Sequence, residues 1–142
     1  MEWFECKVSY DKTMEEGNVK NVVESYLVDA TSFTEAEAMI TKEMSSLISG
    51  SFDVDAVKKE KVSDLFFSKS GGGVWFKIKI AYISIDEISA KEKRTAAIIY
   101  QQSENMFKVA EDLKENMTGS PIDWEIKSVV ETKILEVFQN NL

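Results

Sequence analysis

The sequence points to an α+β fold assembled from two copies of one β-β-α-β unit, and three observations carry that reading. The run Trp3-Phe4-Glu5-Cys6-Lys7-Val8-Ser9-Tyr10 returns 72 residues later as Trp75-Phe76-Lys77-Ile78-Lys79-Ile80-Ala81-Tyr82. Each copy alternates, with Phe4, Cys6, Val8, Tyr10 and Phe76, Ile78, Ile80, Tyr82 on one face, as in a strand buried on one side. An apolar stripe at helical spacing follows each copy, and the one low-complexity stretch, Ser68-Lys69-Ser70-Gly71-Gly72-Gly73, lies midway.

In the first repeat, 3–67, the polar segment Asp11 to Asn18 carries the Gly17-Asn18 turn signal. Val19 to Ala30 is rich in β-preferring residues and completes a hairpin. Ser32 and Glu35 have capping-box spacing, and Phe33, Ala36, Ile40, Met44 and Leu47 form the helix stripe that Gly50 ends. Phe52 to about Val62 alternates as a third strand, and Leu65-Phe66-Phe67 closes the unit.

The Ser/Gly segment 68–74 reads as the joint between repeats. A phosphate-binding loop needs Gly-Lys-Ser/Thr and a following helix, whereas here a strand follows. The second repeat, 75–138, runs through strands Val74 to Ile85 and Arg94 to Gln102. Its helix starts near Ser103 with the stripe Met106, Val109, Leu113, Met117. One long strand then extends from Trp124 to about Phe138. Burying a sheet face and a helix stripe in each repeat places helix on sheet, with an approximate two-fold axis between the halves. One antiparallel sheet or a small barrel, with two helices packed on it, satisfies this pattern. The short joint favours a single domain over 1–142 with one merged core.

Composition bounds the function. The 44% apolar and 30% charged content is that of an ordinary globular chain. No apolar run is long enough to span a bilayer and no leader pattern opens the chain, so the cytoplasm is the expected compartment and no membrane partner is expected. Histidine is absent, which removes the usual general base and the commonest zinc ligand. A net charge of −8 disfavours nucleic acid as a partner. Cys6, the only cysteine, falls on the buried face and reads as a small core hydrophobe.

Two constellations are candidates for chemistry. Trp3 with Lys7, and Trp75 with Lys77 and Lys79, lie on the strand faces opposite the core pattern. Paired aromatics with lysines suit a planar anion, and the plainer reading is that these faces are covered by the other half or by a second subunit. The pairs Asp53, Asp55 and Asp123, Glu125 could hold a hard cation or divide acid and base roles; a solvated strand face is the plainer reading. No catalytic residue, metal ligand or cofactor is assigned.

The run Trp3 to Val8, Tyr26 to Ala30 with Ser32 to Glu37, Trp75-Phe76-Lys77, Asp86-Glu87, Lys91-Glu92-Lys93 and Glu131 to Ile134 resembles a family of small single-domain proteins from gut bacteria and their phages. That family is a domain of unknown function, so the resemblance implies no activity or ligand. The repeat also resembles effector-binding folds that hold a small molecule between halves, an analogy of fold alone. The expectation is a non-enzymatic binding or regulatory domain that engages a small molecule or protein partner, with self-association as a further route. One variant is phage counter-defence, by sequestering a nucleotide signal or blocking a host protein. The alternative is a carboxylate- or metal-dependent hydrolase.

Overall fold

The computed structural model describes residues 1–140. It is α+β, with ten elements: β1 (Glu2–Thr13), β2 (Val19–Ala30), α1 (Phe33–Leu47), β3 (Phe52–Glu60), β4 (Asp64–Phe66), β5 (Val74–Ile85), β6 (Glu92–Ser103), α2 (Val109–Asn116), β7 (Asp123–Glu131) and β8 (Ile134–Phe138). They form two units, one comprising residues 1–61 with the segment from 133, the other residues 62–132. Each unit holds one four-stranded sheet.

In the first unit the strand order is β3-β1-β2-β8. β1 and β2 pair antiparallel from Glu2↔Ala30 to Thr13↔Val19, the hairpin that alternation and Gly17 foretell. Phe4, Cys6 and Val8 are fully buried with Val28 and Ala30 against Ala36, Ile40 and Met44 of α1. Burying each larger aliphatic side chain contributes about 1.5–3 kcal/mol, so this face sets where the helix lies. The helix starts as its sequence requires: Ser32 Oγ accepts from the Glu35 amide at 3.1 Å. The Glu35 carboxylate reaches back to Thr31, accepting from its hydroxyl at 2.6 Å and its amide at 3.3 Å. Phe33 and Leu47, placed in the stripe by spacing, are more than half exposed because they sit in the first and last turns. Phe33 still meets the Phe4 ring edge-on at 5.0 Å.

In the second unit the order is β4-β6-β5-β7. Phe76, Ile78 and Ile80 of β5 and Ala97 and Ile99 of β6 pack against Val109, Leu113 and Met117. α2 begins at Val109 rather than near Ser103, because β6 continues through Ser103 and Asn105 then organises a turn. Asn105 Oδ1 accepts from the amides of Phe107 and Lys108, both at 3.0 Å.

The all-antiparallel expectation misses the parallel edges. β4 pairs parallel with β6, and β8 pairs parallel with β2, so each sheet is mixed. Leu65-Phe66 therefore belongs to the second unit rather than closing the first. The expected strand 124–138 is also split. At Thr132 the amide and hydroxyl both donate to the Trp75 carbonyl, at 2.9 and 2.7 Å, and the chain leaves one sheet there and resumes as β8 in the other.

The open edges β3 and β7 each carry a bulge. Asp55 is the extra residue where the register against β1 shifts between Lys7 and Val8. Lys127 is the extra residue where it shifts against β5 between Lys79 and Ile80. A charged residue on a bulged edge opposes pairing with another strand.

A polar cleft in the second unit

Four residues ending β6 read Tyr100-Gln101-Gln102-Ser103, and all four are buried. Buried amides and hydroxyls need partners, since an unsatisfied one costs about 1–3 kcal/mol. Here the partners come from α2 and from the Ser/Gly segment. Gln101, 1% exposed, donates through Nε2 to the Gln102 carbonyl at 2.8 Å and accepts from Asn116 Nδ2 at 2.8 Å. Ser103 donates its hydroxyl to Asp112. Gln102 Oε1 accepts from the Ser68 amide at 3.1 Å.

The Ser/Gly segment is thus a folded loop. Ser68 Oγ donates to the Gly72 carbonyl at 2.5 Å, and the Gly71 amide donates to the Ser68 carbonyl at 3.2 Å. Lys69 and Glu115 form an ion pair, and this contact raises the lysine's affinity for its proton. Between this loop and α2 lies a cleft of about 290 Å³, with Gln101 and Asn116 in its wall and Phe67 at its margin. Glu104, Glu111, Asp112 and Glu115 face Lys69 and Lys108 around it, four carboxylates against two ammonium groups. Such a lining favours cationic or hydrogen-bond-donating guests over anions.

The residues singled out from sequence lie elsewhere. Trp3 and Lys7 are in the first unit, on the β1 face opposite its core. Trp3 is half-buried, with Asp29 and Glu60 directly across the ladder on either side, an acidic setting for a stacked anion. Burial pushes the Asp29 carboxyl up, and its Oδ1 is buried without a partner. Trp75, Lys77 and Lys79 share a face of β5 in the second unit. Trp75 is 1% exposed and meets Phe67 edge-on at 5.2 Å, so its ring is occupied by packing. Lys79 is exposed, opposite Ile98 and Ser128; Lys77 is half-buried, opposite Tyr100 and Val130.

The acidic pairs are likewise divided. Asp53 and Asp55 are exposed in the first unit, where Asp55 accepts from Ser9 at 3.0 Å. Glu125 in the second is paired with Lys127 and Arg94; the Lys127 contact first and the Arg94 contact next hold its carboxyl below the usual range. Among the described residues no group of three or more acidic or cysteine side chains is placed to hold a metal ion. Among them, too, no helix is long and apolar enough to cross a membrane. The cleft residues were missed because each taken alone is an ordinary polar residue. The available signal was the Gln-Gln-Ser triplet ending a strand that is otherwise apolar from Ala96 to Tyr100.

Fold and cleft together define a small α+β protein with two mixed sheets and a polar pocket beside one helix. The chain belongs to the family described as a domain of unknown function, DUF4494, which matches residues 2–140. No curated protein and no solved structure matches it significantly.

Proposed function

We propose that this protein is a non-enzymatic binding domain and that the cleft between the Ser68–Gly73 loop and α2 is its ligand site. The observation that supports this most is the hydrogen-bonded amide pair at the cleft wall, buried Gln101 and exposed Asn116. Gln101 and Asn116 present a hydrogen-bonded polar surface next to open volume, which is how pockets fix the orientation of a guest. The excess of carboxylates selects a guest with ammonium, guanidinium or amide donors.

The planar-anion reading of Trp3, Lys7, Trp75, Lys77 and Lys79 has less support, given the packed Trp75 ring and the acidic neighbours of Trp3. Within a gut-bacterial or phage setting, blocking a host protein accords with an acidic cleft better than sequestering a nucleotide. The halves read best as copies of one ancestral unit. Matching strand orders support this, as do register shifts 72 residues apart, at Lys7/Val8 and Lys79/Ile80.

Native mass spectrometry of the purified chain, with thermal melts in arginine, spermidine and a nucleotide panel, tests the reading. A guest at 100 times its Kd stabilises the native state by about 2.7 kcal/mol. The cations should shift the melt and the nucleotides should not. No retained mass and no shift with any compound would refute a ligand site here.

A further inference from the structure

Beside the cleft the surface changes character. Phe107 is 97% exposed and Met106 46%, in the turn that leads into α2, while Phe67 at the cleft margin is 45% exposed. Phe107 is no frayed end: its amide and that of Lys108 are both tied to Asn105 Oδ1, so the ring is presented to water by an ordered turn. Leaving such a ring exposed forgoes the stabilisation that its burial would return.

The charges next to it are unbalanced. Lys69 is engaged by Glu115, and Asp112 receives the Ser103 hydroxyl. Glu104 and Glu111 make no ion pair among the described residues.

We infer that this part of the second unit is a docking surface for a basic polypeptide segment, with an Arg or Lys side chain in the cleft and an apolar neighbour on Phe107. The inference rests on the cleft being a binding site, and it names the partner. Charge complementarity selects the cation. The aromatic residue beside the acidic cleft selects a chain over a small amine, because a free amine that fills the cleft leaves Phe107 in water. An arginine leaving the cleft could also stack on Phe67 or Phe107.

The test is fluorescence anisotropy of the full chain with a labelled alternating Arg-Leu peptide and a Glu-Leu peptide of equal length. The Arg-Leu peptide should bind and the Glu-Leu peptide should not. Glu111→Lys and Phe107→Ala should each weaken binding about tenfold, the loss expected for truncating an anchor contact worth roughly 1.4 kcal/mol. Glu15→Lys and Ile88→Ala, equivalent changes on exposed hairpin tips, should weaken it less than about twofold if the contact is local rather than a general charge effect.

Equal losses from the remote pair, an unchanged Phe107→Ala affinity, or no Arg-Leu binding at about 1 mM, where even a weak site would be filled, would overturn the inference. If the cleft takes free arginine or spermidine yet ignores the peptide, the peptide partner is refuted while the cleft remains a ligand site. Failure of both removes the two readings together.

Discussion

Replacing Gly73 by alanine should strain the loop that forms one wall of the cleft. Gly73 has φ +125°, and a Cβ there would lie 2.4 Å from the Ser103 carbonyl oxygen and 2.8 Å from its carbon. Both are backbone atoms at the buried end of β6, so no flexible side chain can yield. A conformation reserved for glycine costs about 1–3 kcal/mol. Displacing Ser103 also weakens its bond to Asp112, worth about 1 kcal/mol, while the stiffer unfolded chain returns about 0.4–1 kcal/mol. The net is about 1–3.6 kcal/mol.

At about 2–4 °C per kcal/mol for a chain near this size, Gly73→Ala should melt roughly 2–14 °C below the parent. Gly72→Ala is the matched control, since a Cβ there meets nothing within 4 Å and its φ is not positive. It should be neutral or stabilising by up to about 1 kcal/mol. Calorimetry on both variants decides, and melts that agree within about 2 °C would refute the close approach of loop and strand.

Other expectations follow from the two helices and the single thiol. Leu113→Ala, a fully buried change on α2, should cost about 2–5 kcal/mol in denaturant titrations. Phe107→Ala should stay within about 0.5 kcal/mol of the parent; comparable losses would mean that the Phe107 ring is packed rather than exposed. Burial, reinforced by Glu5 and Glu37, pushes the Cys6 thiol up to about 12. A thiol reagent at neutral pH should therefore label Cys6 only in denaturant, and prompt labelling of native protein would contradict its place in the core.

Glu35 is held below its ordinary 4.5 chiefly by the Thr31 hydroxyl, with the Thr31 amide and Asn140 adding to it. A carboxyl with a depressed folded value stabilises the native state above its unfolded value and loses that contribution as pH falls through the folded one. Melts of Glu35→Gln followed downward from neutral pH should therefore lie below the parent and converge with it beneath 4.5, whereas a constant gap would show that charge is not the cause.

Much of each sheet could be read from order along the chain. Alternation in Phe4–Tyr10 and Phe76–Tyr82 chose the buried face, Ser32 and Glu35 marked the start of α1, and Gly17 marked the first hairpin turn. These signals are local: a side chain's face follows from a period of two, and a cap from a spacing of three. The parallel edges β4 and β8 have no such signal, because a three- or five-residue strand pairs wherever distant backbone offers an open edge. The split at Thr132 likewise depends on the Trp75 carbonyl 57 residues away.

The tryptophans show the same limit. Trp3 and Trp75 occupy matching places in the repeat, yet Phe67 covers one ring and acidic ladder neighbours flank the other. The cleft is wholly a product of folding, since it joins the Ser68–Gly73 loop, the end of β6 and α2. The loop is distant in sequence from the other two, and hydrogen bonds from Gln101 and Gln102 to Asn116 and Ser68 hold the three together.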